Sequence, residues 1–118
     1  MYTDAVLNHF RNPRNAGDLL DATAAAEVAN PVCGDVLRLA VLVAEGRITE
    51  ARFKAQGCVA AIASGSALTD MLIGKTTEEA RRIAPQEISD ALGGLPPATF
   101  HAAQLCCDAL TAVLRQLR

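Results

Sequence analysis

The chain has 118 residues, 51% of them apolar, which is enough for one hydrophobic core and fits a single domain over 1–118. A net charge of −2 and an isoelectric point near 5.6 remove the electrostatic case for a nucleic-acid or anionic-membrane binder. Aromatic residues make up only 3% and tryptophan is absent, so there is no platform for base stacking. No run of eighteen apolar residues occurs, and no cationic leader precedes the amphipathic start, so the expected location is the cytoplasm.

Thr3 can cap a helix that keeps Val6, Leu7 and Phe10 on one face and ends near Phe10, with His9 read as a surface residue. "RNPRNAGD" breaks that pattern through Pro13 and Gly17, and residues 24–29 read as a short strand. "NPVCGD" is a turn-rich loop in which Pro31 and Gly34 bracket Cys33. From Val36 the pattern becomes strand, with Leu37, Leu39, Val41 and Val43 on one face and Arg38, Ala40 and Leu42 on the other. "AEGR" reverses the chain, and Ala51, Phe53 and Ala55 alternate on the way back, which predicts a hairpin with one buried face.

Cys58 opens "CVAAIASGSALTDMLIG", a small-residue stretch suited to a helix packed closely on a sheet, slightly weakened by Gly65. Thr76 or Thr77 ahead of Glu78 and Glu79 caps a further helix, and Pro85 separates it from a short one near Glu87 to Leu92. "GGLPP" is a stiff connector, and the last helix runs from about Thr99. Helix, strands, then helices make the fold class α+β.

The four cysteines are Cys33, Cys58, Cys106 and Cys107, without a CxxC. In a chain of cytoplasmic character they point to metal, catalysis or core filling before disulfides. Cys58 follows Gly57 at a helix N-terminus, where backbone N–H groups and the helix dipole lower a thiol pKa. His101 stands in the first turn of the last helix, and Asp35 lies two residues past Cys33. Taken singly, a buried cysteine is more often a small hydrophobe than a ligand, Asp35 a turn residue and His101 a helix cap. Only their combination at element ends carries a functional reading.

The segments "HFRNPRNAG", "NPVCGD", "ARFKAQGCVAAIASGSALTDML" and "LPPATFH…DAL" resemble, in order and spacing, the U-type iron–sulfur cluster assembly scaffolds: the IscU proteins and the N-terminal domain of NifU. The resemblance runs from Tyr2 into the last helix. It implies a three-stranded antiparallel sheet with helices packed on it. It also implies a non-enzymatic scaffold that builds an iron–sulfur cluster, [2Fe-2S] first, and passes it on. The partners so implied are a cysteine desulfurase and acceptor apoproteins, with a homodimer sharing a cluster left open. The ligand set carried over is Cys33, Asp35, Cys58 and His101. Soft thiolates suit iron–sulfur clusters and zinc, and a hard aspartate makes one ligand easier to exchange.

Two positions depart from the family pattern. Its third cysteine directly follows the histidine, where this chain has Ala102, and its chaperone-recognised lysine is Thr99, which counts against binding that chaperone. Position 106 lies one turn beyond 102, rotated by roughly 40° and shifted by about 6 Å along the helix, so Cys106 is the candidate replacement ligand. Cys107 instead joins Ala103, Leu110, Leu114 and Leu117 in an apolar stripe and reads as inert core. The runner-up function is a Zn²⁺-bound persulfide acceptor or regulator of a desulfurase. Relatives of that kind carry an insertion before the last helix, which "ALGGLPPATF" lacks. The third reading is a degenerate interaction module without metal.

Overall fold

A computed structural model describes residues 2–31 and 34–117. The elements in chain order are α1 (Asp4–Arg11), β1 (Ala24–Ala29), β2 (Val36–Ala44), β3 (Arg47–Gln56), α2 (Val59–Leu72), α3 (Thr77–Arg81), α4 (Pro85–Ala91) and α5 (His101–Arg115), with a 3₁₀ turn at Pro97–Thr99 before α5. The strands form one antiparallel sheet in the order β1-β2-β3. This is the α+β architecture expected.

Local chemistry accounts for most boundaries. Thr3 accepts from the Val6 amide and starts α1. Glu45 and Gly46 both take positive φ (53° and 75°), the geometry of the two-residue turn that matches strand twist, and join β2 to β3. Thr76 and Glu79 form a reciprocal capping box at α3. Helix α4 begins at Pro85, two residues before the expected start at Glu87, because a proline's fixed φ suits the first helical position.

Leu37, Leu39 and Val41 of β2 face the core, as do Ala51 and Phe53 of β3. A bulge between Leu42 and Val43 shifts the register, so that Ile48 is buried as well. The core closes with Leu68 and Leu72 of α2, Ile88 of α4 and Val113 of α5, all at 0% exposure. Burying each such side chain contributes about 1.5–3 kcal/mol. Gly65 turns out to be a packing position: a Cβ there would lie 2.5 Å from Cδ2 of Phe53, so the ring occupies the space that a side chain would need.

His9 corrects the sequence reading. It is 8% exposed, and its Nδ1 lies 2.7 Å from Oγ of Ser66. The Ser66 hydroxyl also accepts from the Arg14 amide, and Thr69 Oγ1 donates to the Arg14 carbonyl. These bonds pin the "RNPRNAG" loop to α2. The loop then covers part of the β3 edge, since Phe53 N–H donates to Asn15 and Gly17 N–H donates to Phe53. A histidine at the last turn of an amphipathic helix carries no periodicity signal that separates this buried role from a surface one.

Candidate metal centre

Three elements that are distant in sequence end at one place. Asp35 precedes β2, Cys58 is the N-cap of α2 and His101 opens α5. Their donor atoms lie within 4.8 Å of one another. Asp35 Oδ2 is the shared neighbour, 3.4 Å from His101 Nε2 and 3.6 Å from Cys58 Sγ. The other carboxylate oxygen, Oδ1, accepts from the Cys58 amide at 3.3 Å. The Asp35 side chain is 4% exposed and that of His101 31%, so the carboxylate forms the floor and the imidazole the rim.

Backbone chemistry makes this convergence feasible. Asn30 N–H donates to the Asp35 carbonyl and Gly34 N–H to the Asn30 carbonyl, both at 2.8 Å, closing the loop that delivers Asp35. Gly34 adopts φ +76° within it. Gly57 adopts φ +143°, and a Cβ on it would lie 2.1 Å from Asp35 Oδ1. Only a glycine lets the carboxylate approach the start of α2. The sequence places Gly57 ahead of Cys58 at the helix start without showing this second duty; the "GC" pair was the available signal.

The Cys58 thiol is pushed above its usual value, against the expectation from its helix-terminal position. Burial is the main cause, and the Asp35 carboxylate adds to it. The amides of Ala61 and Ala60 favour the thiolate but do not offset these effects. A bound cation reverses such a balance, because its charge stabilises the thiolate directly. Half-buried thiol, buried carboxylate and half-buried imidazole, crowded together, therefore suit a metal better than they suit each other.

Cys33 lies outside the described residues. Cys106 lies within them but not in the converging group. It is 1% exposed, and burial pushes its thiol strongly upward. Cys107 is 9% exposed, its thiol pushed up to about 11 by burial and then by Asp108 and Glu87. Helix α5 buries a broader arc than the Ala103–Leu110–Leu114 stripe, taking in Ala102, Leu105, Cys106, Ala109 and Val113. The reason is that α5 packs on β1 and β2 and also against α2, α3 and α4. A groove of ≈160 Å³ borders the centre, lined by His101, Gln104 and Asp108 on α5, by Ala29 at the end of β1 and by Asn30 and Pro31 after it. A roomier groove of ≈520 Å³ on the sheet, between Glu27, Arg38 and Lys54, is lined by none of the three donors.

Fold and donors together define a class: an α+β domain with a candidate metal centre where a strand and two helices end. The chain belongs to the family of the NifU-like N-terminal domain, whose model matches residues 1–118. It is 46% identical over 110 residues to the iron-sulfur cluster assembly scaffold protein IscU 1 of Archaeoglobus fulgidus, covering 93% of this chain and 72% of that protein. It is 43% identical over 122 residues to the iron-sulfur cluster assembly scaffold protein IscU of Azotobacter vinelandii, covering 99% and 94%. In fold it matches the N-terminal NifU-like protein of Brucella abortus with a TM-score of 0.79 at 22% identity, over 98% of this chain and 92% of that one.

Proposed function

We propose that this chain is a scaffold that assembles an iron–sulfur cluster, holds it transiently and passes it to acceptor apoproteins. The observation that carries this reading is the convergence of Asp35, Cys58 and His101 within 4.8 Å from three separate elements. Cys33, two residues before Asp35, completes the ligand set in this reading. Two thiolates, an imidazole and a carboxylate give four donors, the number that a [2Fe-2S] cluster takes. One chain then suffices, and a homodimer is not required. Cys106 stays outside this set, because a thiol at 1% exposure is inaccessible to iron and to a sulfur donor alike.

The cluster is cargo, and the chain's own residues supply retention and release. Cys58 is the more accessible thiol among the described residues and the one that a cysteine desulfurase would load with sulfur. Asp35, a hard ligand in a soft set, is the bond most easily exchanged. His101, on the rim, is the ligand that an acceptor meets first. A site built on free thiols needs a reducing compartment, and the cytoplasm is one that meets this need. Among the described residues no helix is long and apolar enough to cross a membrane.

Anaerobic reconstitution with iron, cysteine and a desulfurase tests the reading. Visible cluster absorbance should develop on the wild type and be lost in Cys58→Ser; a wild type that stays colourless would sink it.

A second reading has an observation of its own. Ligands bonded at about 2.0–2.3 Å around one tetrahedral ion stand about 3.3–3.8 Å apart. The 3.4 Å and 3.6 Å separations at Asp35 Oδ2 have that size. A Zn²⁺-bound persulfide acceptor therefore fits the same donors, and Zn²⁺ as sole metal together with persulfide on Cys58 by mass spectrometry would establish it. The connector "ALGGLPPATF", with no insertion before α5, favours the scaffold.

A further inference from the structure

Iron has to reach donors that lie mostly below the surface: the Asp35 side chain is 4% exposed and that of His101 31%. The ≈160 Å³ groove is a way in, because His101 lines it. Three other grooves each have a lysine or arginine in their lining: Arg38 and Lys54 in one, Arg81 and Arg115 in the second, and Lys54 again in the third. None of those three is lined by a donor of the centre. The groove at His101 has no lysine or arginine in its lining, and its one carboxylate is Asp108. An unmatched negative charge in a recess concentrates cations there.

Helix α5 sets the polar groups of this groove in a row. His101, Gln104 and Asp108 stand at i, i+3 and i+7, which share one helix face. By the helix rise, Gln104 lies about 4.5 Å along the axis from His101, and Asp108 about 6 Å further. Gln104 Nε2 donates to Asp108 Oδ1 at 3.0 Å. That bond aligns the two side chains and uses one carboxylate oxygen, so Asp108 Oδ2 and Gln104 Oε1 remain as oxygen donors. Among the described residues no lysine or arginine forms an ion pair with Asp108. Nor does α5 need the charge: Asp108 sits mid-helix, away from the first turn where a carboxylate steadies a helix.

We propose that Asp108, aligned by Gln104, is the outer binding point for Fe²⁺ on its way to the metal centre, and that this groove is the ion's entry path. Carboxylate and amide oxygens hold the hydrated ion loosely, and the softer donors His101 and Cys58 then take it over. The iron stays Fe²⁺ throughout, and the waters it sheds and the Cys58 proton go to solvent. The proposal rests on the scaffold reading for the ion that is loaded.

The test follows loading of the full, metal-free chain by anaerobic stopped flow. Its probe is Co²⁺, a divalent stand-in whose bond to the Cys58 thiolate absorbs in the near ultraviolet. Asp108→Asn should load about fivefold more slowly, with the same final absorbance and the same melting temperature. Asp108 is exposed, so the replacement leaves the core untouched. Asp108→Glu keeps the charge and should load at the wild-type rate. The gap between wild type and Asp108→Asn should shrink as salt is raised. Glu27→Gln removes a charge from the ≈520 Å³ groove instead and should leave the rate unchanged. Wild-type loading by Asp108→Asn would overturn the proposal, as would equal slowing by Glu27→Gln, which would reduce the effect to net charge. A lower final absorbance in Asp108→Asn would overturn it in favour of a ligand within the centre. A wild type without this absorbance at any Co²⁺ concentration would overturn the metal-centre reading itself, and the proposal with it.

Discussion

Gly57 and Asp35 are complementary: the space that a Cβ on Gly57 would fill, 2.1 Å from Oδ1, is already taken by the carboxylate. The positive φ of Gly57 and the burial of Asp35 belong to one arrangement, which brings the end of the hairpin under the start of α2. Replacing Gly57 by alanine therefore strains the backbone and evicts the carboxylate together. Gly57→Ala should cost about 1–3 kcal/mol from backbone strain alone and should abolish stoichiometric metal binding. Thermal denaturation and elemental analysis check both, and an alanine variant with full metal content would refute the coupling.

The cysteines should separate cleanly. Cys58→Ser removes a donor of the converging group and should lose bound iron or zinc. Cys106→Ser should keep it, yet be less stable by about 1–3 kcal/mol, since a hydroxyl is buried where a thiol packed. Elemental analysis of anaerobically purified variants, beside their melting temperatures, decides. Loss of metal in Cys106→Ser would bring that thiol into the ligand set.

Gly65→Ala sets helix propensity against packing. Alanine is favoured over glycine in a helix by about 1 kcal/mol, whereas overpacking a core costs about 1–3 kcal/mol. With the Phe53 ring 2.5 Å from the new Cβ, packing should win and the variant should be destabilised. Phe53→Leu should relieve part of the clash, so the double mutant should be more stable than the sum of the two single changes. Strict additivity in urea titrations would show that ring and helix do not compete.

The His9 ring is held below the usual imidazole value of 6.5, first by burial and then by the Arg14 charge, with Asp70 opposing. The unfolded chain then binds a proton more readily than the folded one. This contribution to stability is complete above about pH 6.5 and is lost as the pH falls from there towards the lowered folded value. Urea midpoints should drop between pH 7.5 and pH 5.5, and His9→Asn should flatten that slope. An unchanged slope in the variant would exclude His9 as its source.

Much of this protein is decided by the sequence alone. The alternation in Leu37–Val43 and Ala51–Ala55, the turn at Glu45–Gly46, and the caps at Thr3 and Thr76 are local signals, and each sets local backbone geometry wherever it occurs. The family motifs likewise mark Cys33, Asp35, Cys58 and His101 before any fold is known. What only the tertiary structure decided is how side chains from distant segments share space. The burial of His9 depends on Ser66, the need for glycine at 65 depends on Phe53, and the raised Cys58 thiol depends on its burial first and on Asp35 after it. Cys106 and Cys107 show the same limit. A helical wheel offers α5 one apolar face, but the sheet and three other helices bury it over a wider arc, and which thiol is accessible follows from that packing. Periodicity is a property of one segment, whereas burial and electrostatics belong to the whole assembly of segments.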